Sequence, residues 1–191
     1  MKVRYMKKVK VGISNRHVHL TEEVYNRLFA YPLTKKKDLT QIGDFASNEV
    51  VTLKTEKGTI ENVRIIGPYR SYNQVEISRS DARILGINPP VRKSGDLESS
   101  ETITIVGEKG EVTLDNVCII AERHIHLNPN LAREWQVEDG ELVQVSIKGD
   151  KSCILDAHIK VSENGVLAFH IDTDDANAAM LNQDDEVEVI L

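Results

Sequence analysis

Apolar and polar residues alternate with period two along most of the chain. The stretches VVTLKT, NVRIIG, TITIVG, EVTLDNVCII, LVQVSIKG, ILDAHIKV, VLAFHID and EVEVIL all carry this pattern, and each predicts a β-strand with one face turned to a core. Turn signals such as EKG, KGD and ENG separate them at short intervals, which suits a sandwich or a barrel. Helical patterning is confined to short patches. TEEVYNRLFA offers Thr21 as an N-cap followed by acidic residues, and NPNLAREWQV opens with an asparagine cap and a proline in its first turn. The class expected is mainly β with a few short helices.

The pattern occurs twice. NRHVHL (Asn15 to Leu20) and ERHIHL (Glu122 to Leu127) share Arg-His-aliphatic-His-Leu, and each is followed by a capped helix and then a Glu-led strand. Each half then reaches a second special segment, VEISRSDA from Val75 and FHIDTDDA from Phe169. Aligned without gaps, these place Glu76 over His170, Asp81 over Asp175 and Ala82 over Ala176, with a helix expected to start after each at a Ser or Thr cap. Such a duplication predicts two similar β-rich units about a pseudo-twofold axis. The boundary is expected in NPPVRKSGDLESS (Asn88 to Ser100), giving units of residues 1–90 and 91–191, with strand exchange between them left open.

The 191 residues suffice for a substantial core, and a formal net charge of −6 argues against an extended nucleic-acid face. The basic opening MKVRYMKKVK lacks the apolar run of a signal peptide, and no stretch has membrane-spanning length, so a soluble intracellular protein is expected. Cys118 and Cys153 form no CxxC pair; both read as small buried apolar residues rather than as a disulfide or a thiolate metal site.

Candidate chemistry sits in the paired motifs. Residues two apart on a strand share a face, so His17 and His19 present two imidazoles side by side, as do His124 and His126. Catalytic zinc usually takes three protein ligands and keeps a position open. Glu76 and His170, at matching positions, supply a third ligand for each pair, leaving His158 alone among the six histidines without a role. Spacing leaves open whether each half builds its own site or Glu76 and His170 exchange partners. Arg70, after Gly67-Pro68, presents a guanidinium fork suited to phosphate or an oxyanion, whereas Arg16 and Arg123 alternate with the histidines toward the other face.

In VGISNRHVHL, IIGPYRSYNQVEISRSDARILGI, AERHIHL and FHIDTDDAN the chain closely resembles the propanediol-utilisation (PduL-type) phosphotransacylases, or phosphate propanoyltransferases, from about Val11 to the C-terminus. The resemblance implies two closed β-barrels, two zinc ions, with another divalent metal as a substitute, and reversible acyl transfer between coenzyme A and inorganic phosphate. It implies one metal on Glu76, His124 and His126 and another on His17, His19 and His170, with ligands from both halves meeting at the domain junction. It also places the active-site arginine at Arg70 and coenzyme A contacts at Gly12, Ile13, Ser14 and Asn177. Only about ten residues precede the first motif, where relatives that enter bacterial microcompartments carry an encapsulation extension; a free cytoplasmic enzyme is therefore expected, with no membrane or nucleic-acid partner, and self-association as a homo-oligomer is compatible.

The expected reaction is direct attack of phosphate on a short-chain acyl-CoA, propanoyl or acetyl, since no serine or cysteine nucleophile with an adjacent base is legible. A metal-dependent hydrolase of thioesters or phosphate esters could use the same ligands with water as nucleophile. A non-catalytic barrel holding structural metal is the other reading, and it would require four protein ligands on each ion.

Overall fold

The alternating segments do form strands, and their pairing closes two barrels. The computed structural model describes residues 5–191; residues 1–4, the start of the first expected unit, lie outside the described residues. In chain order the elements are β1 (Met6–Ser14), β2 (His17–His19), α1 (Glu22–Leu28), β3 (Lys35–Asp38), β4 (Phe45–Lys54), β5 (Thr59–Gly67), β6 (Gln74–Glu76), α2 (Arg79–Leu85), β7 (Val91–Arg92) and β8 (Glu101–Val106). They continue as β9 (Glu111–Ala121), β10 (His124–Leu127), α3 (Pro129–Trp135), β11 (Leu142–Ile147), β12 (Cys153–Val161), β13 (Ala168–Asp172), α4 (Thr173–Ala179) and β14 (Glu186–Ile190).

One unit comprises residues 5–14 with Glu122–Leu191. It is a closed six-stranded barrel in the order β1-β13-β10-β12-β11-β14, with β14 returning to β1. The other unit is Asn15–Ala121. Its strands run β4-β5-β2-β6-β9, and β8 pairs with both β9 and β4 to close a second six-stranded barrel, with β3 added to β4 and β7 to β9.

The barrels match strand for strand. β2 is parallel to β5 and antiparallel to β6, as β10 is parallel to β12 and antiparallel to β13. The sixth-strand equivalents are β9, parallel to β6, and β1, parallel to β13. Each of these strands directly precedes a His-x-His strand in sequence yet completes the barrel built by the other repeat. A hairpin cannot supply a parallel neighbour; here exchange supplies it.

That exchange moves the domain limits away from 1–90 and 91–191. The stretch from Asn88 to Ser100 is no linker: it carries β7 and packs within the Asn15–Ala121 unit, where Ser94 and Gly95 hydrogen-bond to the buried Gln74. Proline and glycine there shape a turn-rich segment of one barrel rather than a hinge.

Inward-facing residues of the alternation fill each barrel: Val9, Val11, Ile125, Val145, Phe169 and Val189 in one, Val18, Leu53, Val63, Val75, Ile105 and Ile119 in the other. The helices begin where side chains cap them. Thr21, Ser78 and Asn128 accept from the backbone amides of Val24, Asp81 and Leu131. In α4 the cap is Asp172, not the expected Thr, and Thr173 is already the first helical residue. Cys118 is buried, whereas Cys153 is half-buried in β12, against the expectation that both are core residues. Among the described residues no helix is long and apolar enough to cross a membrane.

Strand exchange makes a directional prediction. Val11, 1% exposed, is near the N-terminus but belongs to the core of the unit that contains Glu122–Leu191. Val11→Ala should cost about 2 kcal/mol and lower amide exchange protection across residues 122–191 while residues 15–121 keep theirs. Loss confined to 15–121 would contradict the strand assignment.

Candidate metal centres

The donors converge because of strand register. β2 and β6 set His17 directly opposite Glu76, and β10 and β13 set His124 opposite His170. Paired residues on antiparallel strands direct their side chains to one face, and the second histidine of each motif joins them. His17, His19 and Glu76 bring one ligand atom each to within 4.8 Å of one another, as do His124, His126 and His170. The resemblance implies a crossed pairing, Glu76 with His124 and His126 and His170 with His17 and His19, whereas the two groups that converge here each lie within one unit. Each barrel gathers its own three donors, because the third donor lies on the strand hydrogen-bonded to the His-x-His strand.

Imidazole orientation is fixed in the same way in both units. Nδ1 of His17 donates to the carbonyl of Asn15, and Nδ1 of His124 to that of Glu122, each at 2.8 Å. With the proton there, Nε2 is left as a lone pair aimed into the group. The Nε2 atoms of His124 and His126 stand 3.1 Å apart, while Nδ1 of His126 is buried without a partner. Burial pushes the pKa of His19 down to about 3, helped by the charges of His17 and Arg70, and that of His126 down to about 2, helped by His124 and His170. Both imidazoles are therefore neutral donors at ordinary pH. Three imidazoles in one group, and two with a carboxylate in the other, suit zinc or a similar divalent ion.

Neighbours hold the third donors. Glu76 Oε1 accepts from Gln74 Nε2 at 2.6 Å, and its Oε2 lies 3.5 Å from Nε2 of His17. His170 lies over Gly12, its register partner on β1, so closely that a Cβ at Gly12 would stand 2.5 Å from the imidazole. Gly12 is thus required for packing, whatever else it touches. Of the other residues named for coenzyme A, Ile13 donates its amide to Gln183 Oε1, Ser14 is opposite Asp172 in the β1–β13 ladder, and Asn177 is exposed on α4.

Arg70 lies close enough to lower the pKa of His19 by its charge. Its backbone amide donates to Leu20, and Nη2 donates to Asp44 Oδ1 at 2.6 Å, while Nε is buried without a partner. Asp44 and Gln74 were not legible as site residues. The alternation could have found Gln74, two positions before Glu76 on the same face. Nothing local marks Asp44, which is 26 residues from Arg70. His158, half-exposed, pairs with Glu122 at 3.2 Å and joins neither donor group. The Cys118 thiol, pushed up to about 12 by burial, is no nucleophile.

Two predictions follow from this geometry. Gly12→Ala should displace His170 and lower bound zinc by about one equivalent per chain, measured by elemental analysis of folded protein. Unchanged metal content would remove the packing role. The metal-free protein should lose stability as pH falls from 6.5 toward 3, because the unfolded chain takes up protons that the buried His19 and His126 refuse. Thermal melts of wild type and His126→Gln across that window check this, the variant showing the shallower dependence; identical dependences would contradict it.

A profile of the phosphate propanoyltransferase family matches residues 10–182. A phosphate propanoyltransferase of Thermotoga maritima is 50% identical over 184 residues, 94% of this chain and 88% of that one. Those of Lachnoclostridium phytofermentans and Salmonella typhimurium are 47% and 45% identical over 177 and 174 residues, covering 91% and 90% of this chain and 83% of each relative. With the match spanning both barrels and all six donors, the chain belongs to the phosphate propanoyltransferase family of acyltransferases.

Proposed function

We propose that the chain transfers a short acyl group, propanoyl or acetyl, reversibly between coenzyme A and inorganic phosphate, using two zinc ions and no covalent enzyme intermediate. The observation that carries the metal part is that each donor group consists of three residues. Structural zinc sites are usually closed by four protein ligands, whereas catalytic sites keep a position for substrate. A divalent ion held by His17, His19 and Glu76, and another by His124, His126 and His170, would supply Lewis acidity toward phosphate and the thioester carbonyl.

The chain's own residues then have defined tasks. Arg70, steadied by Asp44 through one nitrogen, keeps other donors for an anionic oxygen, first of phosphate and then of the tetrahedral intermediate. A phosphate oxygen bonds to the acyl carbon, the C–S bond breaks and coenzyme A leaves as thiolate. The raised pKa of Cys118 supports this direct route. Coenzyme A contacts are assigned to Gly12, Ile13, Ser14 and Asn177; the exposed Asn177 side chain is available for them, while the Ile13 amide is already engaged by Gln183.

Thiol release from propanoyl-CoA and acetyl-CoA, with and without phosphate, tests the reading. Release that needs phosphate, stops on chelation and returns with zinc is expected. Release without phosphate would identify a hydrolase instead, and release insensitive to chelation would remove the metals. Arg70→Ala should lower turnover on the order of a hundredfold with metal content unchanged; near-normal turnover would remove Arg70 from the mechanism.

A further inference from the structure

Each donor group is accompanied by an arginine–aspartate pair that the reaction does not use. Arg16, immediately before His17, donates from Nη1 to Oδ1 of Asp81 at 2.5 Å, and Asp81 is five residues beyond Glu76. In the other unit Arg123, immediately before His124, lies with Nε 3.6 Å from Oδ2 of Asp175, five residues beyond His170. Both aspartates occupy the third position of the helix that follows the third donor. The pair is thus repeated with its spacing to the donors intact.

Its place in the ladder suggests what it does. The strands that carry the donors share only three paired positions in each barrel, against six for β11 and β12. His17 is the first residue of β2 and Glu76 the last of β6, so these two donors sit at the open end of their ladder. Beyond that end no further ladder pair joins β2 to β6, and Arg16 to Asp81 links the two segments. Asp81 is fixed in turn: it is 3% exposed, and its Oδ2 accepts from the Ser78 amide in a capping box. The arginine therefore grips a carboxylate that cannot swing away.

We propose that Arg16–Asp81 and Arg123–Asp175 are positioning pairs, which hold each His-x-His strand at the separation from its third donor that a metal ion requires. The inference rests on the metal reading given above. The charge-assisted bond of Arg16 makes the first pair the stronger, and the looser contact of Arg123 makes the second the weaker.

Zinc titration of the metal-free full chain against a competing chelator tests it. Wild type should bind two equivalents. Arg16→Gln and Asp81→Asn should each weaken one equivalent about tenfold, the scale typical of residues that orient metal ligands, and leave the other unchanged. Asn at 81 can still accept from the Ser78 amide, which keeps the helix cap. Arg16→Lys should recover part of the affinity, and Arg123→Gln should weaken the other equivalent less. The double variant Arg16→Gln/Asp81→Asn separates positioning from stability. It no longer buries an unpaired carboxylate, so its melting temperature should return toward wild type while its zinc affinity remains about tenfold low. Wild-type affinities in all variants, or single losses that add in the double variant, would overturn the proposal. A wild-type chain that binds no zinc would instead overturn the metal reading, and the proposal with it.

Discussion

Antiparallel pairing of His17 with Glu76, and of His124 with His170, is the constraint on which the rest depends. Side chains on a strand alternate between faces, so a slip of one residue would turn an imidazole pair away from its third donor. Register here is specified by the core: Val18 and Val75 oppose each other inside one barrel, and Ile125 and Phe169 inside the other, all four fully buried. Hydrophobic packing of the intervening residues thus sets the geometry of the donors beside them. The barrel interior and the candidate metal group are two faces of the same short ladder.

The repeat explains why two such ladders exist, and strand exchange explains why the units do not follow the sequence halves. Each barrel needs a parallel neighbour for the strand carrying the third donor, and each receives it from the start of the other repeat. One consequence is chemical. The exchanged strand β1 brings Gly12 under His170, so a residue at the N-terminal end of the chain governs the space for a donor some 158 positions later. The segment after α2 has a similar role in the other unit, where Ser94 and Gly95 engage Gln74, and Gln74 engages Glu76.

Much of this was readable from the chain. Alternation identified the long strands, Thr21 and Asn128 marked the starts of α1 and α3, and α2 and α4 begin inside VEISRSDA and FHIDTDDA rather than after them. The duplicated His-x-His motifs with Glu76 and His170 contain the six residues that the structure gathers into two candidate groups. What could not be read depended on which strands pair. The grouping of donors is decided by β6 beside β2 and β13 beside β10, and no local pattern encodes adjacency. For the same reason the Pro/Gly-rich stretch around Gly95 resembled a linker, since its composition records a turn but not what the turn packs against. The Arg70–Asp44 contact joins residues on separate loops, and Arg16–Asp81 spans 65 positions. Such pairs become visible only when the barrel closes.

The most direct test of the central claim is anomalous X-ray scattering from zinc-loaded crystals, recorded on both sides of the zinc absorption edge. Two peaks are predicted, one within ligand distance of His17, His19 and Glu76 and the other within ligand distance of His124, His126 and His170. A peak bonded to Glu76 together with His124 and His126, or one bonded to His170 together with His17 and His19, would contradict the account.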